Sequence, residues 1–143
     1  SHVRSGEEMA EREPVSVGTM LRDMAEGNCD VDCQDDFIVL GDRHLLRMAF
    51  HNLINNAVKY SDGKPVTVTV AGRTVKVSDQ GIGIPPEDLQ HVFEPFYRAS
   101  NTGTVMGHGV GLALAKAILE KHGAKINMES EPGKGTTVRV VFR

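Results

Sequence analysis

HNLINNAVKYS, residues 51–61, carries two faces on one helix. At about 100° per residue, Asn52, Asn56 and Lys59 share one stripe, and Leu46, Phe50, Leu53 and Ala57 form the apolar stripe beside it. The polar stripe therefore lies at the edge of a core rather than opposite it. Asparagine is a poor helix former because its amide competes for backbone hydrogen bonds, so two of them one turn apart need another reason. An oxygen-lined site for a metal and phosphates supplies one. A solvated face of surface amides is the alternative, and the stripe alone leaves it open.

Asp42 caps this helix, which runs to about Tyr60, and Ser61-Asp-Gly-Lys-Pro65 ends it with turn formers. Upstream, Met20, Leu21 and Met24 predict a short helix over 17–26, and Phe37-Ile-Val-Leu40 predicts a strand. Downstream, 66–71 and 74–78 alternate in β-branched residues around Ala71-Gly72-Arg73 and read as a hairpin. Helical character returns at 87–91. Residues 92–108 have no sustained period and predict a long loop. A final helix is expected over 109–122, then strands over 124–130 and 136–142 across the turn Glu131-Pro-Gly-Lys-Gly135. The order predicts an α+β fold, a two-layer α/β sandwich in which a mixed, mostly antiparallel sheet packs on about three helices.

A chain of 143 residues can bury a core of its own. The 16 Lys and Arg against 19 Asp and Glu leave a net charge of -3, which lacks the basic footprint of a nucleic-acid partner. Cys29 and Cys33 have no second pair or neighbouring histidines to complete a zinc site. Free thiols and the absence of an apolar leader in the opening residues lead to the expectation of a cytoplasmic domain without direct membrane contact.

Two further motifs carry chemistry. DQGIGI, residues 79–84, follows a strand; Asp79 is an acceptor at the strand end, fit for a purine amino group, and Gly81 and Gly83 allow a sharp turn and close approach to a ligand. D-x-G-x-G is also frequent in ordinary turns. GHGVGL, residues 107–112, opens the last helix, where backbone N–H groups and the helix dipole favour a polyphosphate. Its G-x-G-x-G spacing after a polar loop excludes the dinucleotide-fold and Walker readings.

Together these motifs resemble the GHKL superfamily of ATP-binding domains, which share the Bergerat fold, and within it the sensor histidine kinases. HNLINNAVKYS resembles the N box, DQGIGI the first glycine box, FEPFYRAS at 93–100 the F box, GHGVGLALAK the second glycine box and EPGKGTT the closing glycine-threonine turn. The likeness covers about residues 16–143, with 1–15 expected to be a lead-in from a dimerisation helix. It implies ATP and magnesium, with Asn56 as metal ligand and Asn52 and Lys59 near the phosphates. It implies Tyr60 beside adenine, Asp79 on the adenine amino group and Thr136 or Thr137 near the base. Arg98, with Lys59, takes the catalytic role of acting on the phosphates during transfer. Gly81, Gly83, Ile84, Tyr97, Gly107, His108, Gly109, Val110, Gly111 and Leu112 complete the implied nucleotide site. His108 and Val110 depart from the commoner small polar residue and leucine. Gyrase-like and chaperone-like relatives place a water-activating glutamate where this chain has Asn52, so the resemblance implies slow hydrolysis and transfer to an external nucleophile.

Sensor kinases of this kind phosphorylate a histidine that a carboxylate usually follows in a helical dimerisation segment. His2, His44, His51, His91, His108 and His122 all lack that context. The expectation is a monomeric donor domain that does not phosphorylate itself. Its implied partners are the histidine-bearing dimerisation domain of the parent kinase and, indirectly, a response regulator; an inner-membrane anchor for the parent fits the same resemblance. Two alternatives remain, an anti-sigma-type serine kinase and a nucleotide-responsive binding module; the F box with Arg98 argues against the first, and intact Asn56 and Asp79 against the second.

Overall fold

Val66, Val68 and Val70 are fully buried and alternate with threonines that face outward, a period of two that builds β4 (Val66–Ala71). The structure, a computed structural model, describes residues 12–25, 29–94 and 111–143. Gly72 and Arg73 both adopt positive φ, 59° and 62°, the geometry of a tight hairpin turn that matches strand twist. The turn leads into β5 (Thr74–Asp79), whose Val75 and Val77 join the same buried face. On its other side β5 pairs antiparallel with β7 (Gly135–Val141), and β7 with β6 (Lys125–Glu131). The sheet is completed by β2 (Cys29–Cys33), which runs parallel to β4, giving the order β2-β4-β5-β7-β6.

Three helices cover the valine face: α1 (Val17–Met24), α2 (Arg43–Lys59) and α4 (Gly111–Lys121), while α3 (Pro86–Leu89) is a single turn. Phe50 and Leu53 of α2 and Leu119 of α4 are buried to within 1%. Each such side chain contributes roughly 1.5–3 kcal/mol of burial. Phe142 closes the core against Phe37 and Phe50, with ring centroids at 5.5 and 6.3 Å. The expected α+β sandwich, with a mostly antiparallel sheet on three helices, is therefore the fold observed.

His122 fixes how α2 and α4 meet. Its Nε2 accepts from the Asp42 backbone N–H at 3.1 Å and its Nδ1 donates to Ile118 O at 2.8 Å, so the last turn of α4 is tied to the first of α2. The Asp42 carboxylate meanwhile accepts from the Leu45 N–H at 3.0 Å and caps α2. At the other end of the helix pair, a Cβ on Gly111 would stand 3.8 Å from Asn52. The helices are thus antiparallel, and the start of α4 lies beside the middle of α2.

Several expectations need correction. Residues 13–15, anticipated as part of a lead-in, belong to β1 (Glu13–Ser16), which pairs antiparallel with β3 (Ile38–Gly41) in a separate two-stranded sheet. β2 was not anticipated; its Cys29 and Val31 turn inward while Asp30 and Asp32 face water. Helix α1 stops at Met24, ahead of the expected end at 26. Ser16 occupies the N-cap of α1 without bonding it through its side chain. Asp36 does so from across the chain, accepting from the N–H groups of Gly18 and Phe37, both at 2.7 Å, and from Ser16 Oγ at 2.5 Å.

Candidate functional site

Four segments converge at one end of the sandwich. The C-terminal half of α2 supplies Asn52 and Asn56, both half-buried, and the exposed Lys59, as the stripe at the core edge requires. Tyr60, half-buried, is the C-cap residue, and the chain then turns through Ser61, whose Oγ donates to Val58 O at 2.9 Å.

The loop after β5 is pinned to that turn. Ile82 donates its N–H to Tyr60 O at 3.1 Å. Gly81 packs so closely there that a Cβ would stand 1.7 Å from Tyr60 O, which no side chain tolerates. Gly83, at φ 72°, faces Glu131 O in the same manner, with 1.9 Å left for a Cβ. Gly133 N–H in turn donates to Ile82 O at 2.7 Å. The sequence expectation gave Gly81 and Gly83 the task of admitting a ligand; in the structure their open side is taken by the protein's own backbone. These glycines lock the first glycine box between the end of α2 and the β6–β7 turn.

Asp79 ends β5 on the core-facing side and is 5% exposed. Its carboxylate accepts the Gly81 N–H at 2.9 Å and the backbone N–H of Thr136. Burial raises its pKa above the ordinary carboxylate value, and these two amides pull only partly against that. An acceptor held rigidly in a dry setting, and disfavoured as a bare anion, gains from a donor such as an amino group.

The two threonines separate. Thr136 is the register partner of Asp79 and shares its buried face, whereas Thr137 is paired with Ser78 on the other face, their hydroxyls 3.0 Å apart. The candidate beside Asp79 is therefore Thr136. A cavity of about 320 Å³ lies at these strand ends, lined in part by Asp79, Gln80, Lys134, Gly135 and Thr136. Ile84 reaches the same corner through its N–H, bonded to Ser130 Oγ at 2.7 Å. Gly111 starts α4 against Asn52, so the N box and the second glycine box meet, and Leu112 packs on the core.

Tyr97, Arg98, Gly107, His108, Gly109 and Val110 lie outside the described residues. Sequence reasoning missed Ser130 and Gly135 as parts of this corner. Gly135 carried a signal, since a glycine just before a β-branched strand marks a close approach; here a Cβ would stand 2.1 Å from Asp79 O. Among the described residues no group of three His, Cys, Asp or Glu could hold a metal. A cage of that kind is not what magnesium needs. It keeps several waters and takes one or two protein oxygens together with substrate phosphates, and the half-buried Asn56 amide at the core edge fits that role.

Known proteins resemble this chain in sequence and in fold. Residues 41–143 match the family model described as histidine kinase-, DNA gyrase B-, and HSP90-like ATPase. The sensor histidine kinase YkoH of Bacillus subtilis is 36% identical, over 76% of this chain and 25% of its own length. The sensor-like histidine kinase SenX3 of Mycobacterium tuberculosis is 34% identical, over 96% of this chain and 38% of its own. The solved structure of the mycobacterial sensor histidine kinase MprB superposes with a TM-score of 0.73 at 27% identity, covering 90% of this chain and 95% of that one. This chain belongs to the family of histidine kinase-, DNA gyrase B- and HSP90-like ATPases, and within it resembles the ATP-binding catalytic domain of sensor histidine kinases. It spans well under half of the curated relatives it matches, 25% of YkoH and 38% of SenX3. Among the described residues no helix is long and apolar enough to cross a membrane.

Proposed function

We propose that this chain binds ATP with magnesium and donates the γ-phosphate to a histidine on a separate dimerisation segment. The observation that carries the reading is Asp79, a buried carboxylate clamped by two backbone amides, whose following loop is pinned to the end of α2, the helix whose asparagine stripe abuts Gly111 at the start of α4. The base end and the phosphate end are thus set by different segments, as a nucleotide requires.

In this reading Asp79 accepts from the adenine amino group and Tyr60 lies along the base. Asn52 and Lys59 face the phosphates, Lys59 bringing a positive charge. Asn56 offers its amide oxygen to magnesium, which when bound neutralises phosphate charge and fixes the phosphate geometry. An acceptor imidazole nitrogen attacks the γ-phosphorus as the bond to the β-γ bridging oxygen breaks, giving phosphohistidine and ADP. Arg98 stabilises the charge that develops on the transferring group.

Asn52 carries an amide in place of a carboxylate general base, which favours transfer over hydrolysis. The names of the relatives, sensor histidine kinases, support a histidine acceptor over the serine of an anti-sigma-type kinase. The response regulator would be the next acceptor. Competition for labelled ATP tests the nucleotide assignment: unlabelled ATP should displace it and GTP should not, because the guanine 6-carbonyl meets the Asp79 acceptor. Equal displacement by both would remove Asp79 from base recognition.

A further inference from the structure

One hydroxyl at the base corner makes more contacts than its size suggests. Ser130 Oγ lies 2.7 Å from the Ile84 backbone N, 3.0 Å from Gly135 O and 2.7 Å from Thr136 Oγ1. It belongs to β6, directly across the ladder from Thr136, which in turn follows Gly135 and partners Asp79 on β5. Neither the motif reading nor the phosphate chemistry gives it a task.

Counting hydrogens assigns one. The Ile84 N–H can only donate and the Gly135 carbonyl can only accept, while a serine hydroxyl has a single hydrogen and two lone pairs. All three bonds hold together in one arrangement alone: Ser130 donates to Gly135 O and accepts from Ile84 N–H, so the third contact requires Thr136 to donate to Ser130. The Thr136 hydroxyl hydrogen is then committed away from Asp79. What its oxygen can still present to a neighbour is lone pairs.

We infer that Ser130 is a positioning residue that sets base specificity: by holding the Thr136 hydroxyl as an acceptor beside the Asp79 carboxylate, it makes this corner select a purine with an amino group over one with a carbonyl. This rests on the nucleotide reading above. An exocyclic amino group has two N–H donors, one for each acceptor. A carbonyl at the same position meets lone pairs from both. With Ser130 absent, the Thr136 hydroxyl can rotate and donate to a carbonyl, so Asp79 alone still favours the amino group.

The test is direct binding of ATP, inosine triphosphate and purine riboside triphosphate, which carry an amino group, a carbonyl and hydrogen at the base 6-position. The 143-residue chain should bind ATP best. Ser130→Ala should reduce the ATP-to-inosine-triphosphate preference by about three- to tenfold, the worth of one neutral hydrogen bond, and leave purine riboside triphosphate affinity unchanged. Ser130→Thr, which keeps the hydroxyl, should keep the preference. Thr136→Val should lose it to the same degree, and the double variant with Ser130→Ala should lose no more. Equal weakening of all three nucleotides by Ser130→Ala would mean a scaffold role only and overturn the inference. An unchanged preference in Thr136→Val would overturn it even if Ser130→Ala fails to fold. Equal binding of all three nucleotides by the parent chain would instead sink the adenine reading itself, and this inference with it.

Discussion

The α-carbon of Gly81 faces the carbonyl oxygen of Tyr60 so closely that a methyl group on it would stand 1.7 Å away, while Tyr60 O also accepts the Ile82 N–H at 3.1 Å. The end of α2 and the loop after β5 are therefore one rigid unit. Gly81→Ala must push them apart, and the obstacle is backbone, which has no rotamer to retreat into. It should destabilise the chain by on the order of 2 kcal/mol or more and weaken ATP binding with it. Gly111→Ala is the contrast, because its Cβ would meet Asn52 at an ordinary 3.8 Å; its stability should stay within about 0.5 kcal/mol of the parent. Urea unfolding of the two variants checks this, and equal losses would refute the backbone clamp.

Asn56→Ala should weaken magnesium-ATP binding by about tenfold or more and change magnesium-free ATP binding far less. The proposed bond is between its amide oxygen and the ion, so removing the ion removes the difference. Calorimetry with magnesium and with chelator distinguishes the cases. The same loss in both would leave Asn56 as a packing residue of α2.

Much of this was legible in the sequence because the determining patterns are local. The α2 stripe needs only a period of 3.6, the β4–β5 hairpin only alternation around Gly72-Arg73, and the motif order needs no contacts at all. What was hidden depends on residues distant in the chain. Asp36 caps α1 from 18 positions beyond Gly18, and no capping pattern spans that distance. β2, CDVDC, alternates correctly but places two aspartates in a strand, which propensity disfavours; its parallel partner β4 lies beyond the whole of α2. Gly81 and Gly83 were legible as glycines with a purpose, but the atoms they make room for, in Tyr60 and Glu131, appear only on folding.

Acid should act on two aspartates with opposite sign. For Asp36, burial alone would raise the pKa, but hydrogen bonds from Ser16, Gly18, Phe37 and Thr19 outweigh it and hold the carboxyl below its usual 3.8. A lowered folded value means stability present above 3.8 and lost as pH falls through the folded value. Asp36→Ala should therefore be less stable than the parent at neutral pH, and the gap should close in acid. For Asp79, burial raises the folded value above 3.8, so its contribution to the ligand-free fold is fullest below 3.8 and is lost as pH rises through the raised value. In the proposed site, nucleotide binding uses the ionised form. ATP affinity should thus fall as acid protonates Asp79 at a pH above 3.8, a dependence missing from the weakly binding Asp79→Asn. Chemical unfolding and binding titrations across this range check both, and a gap for Asp36→Ala that widens in acid would contradict the capping argument.

The most direct measurement is label transfer from γ-labelled ATP with the proposed acceptor, a histidine-bearing dimerisation segment, added in trans. In the proposed function, ATP bound to this chain supplies the donor geometry, and none of its six histidines has the sequence context of an acceptor. After gel separation the dimerisation segment should carry acid-labile, alkali-stable label that accumulates slowly, because no tether raises the effective concentration, and the 143-residue chain should carry none. Acid-labile label on this chain by itself, or an unlabelled segment while ATP is bound, would contradict the assignment of this domain as a phosphoryl donor to a histidine elsewhere.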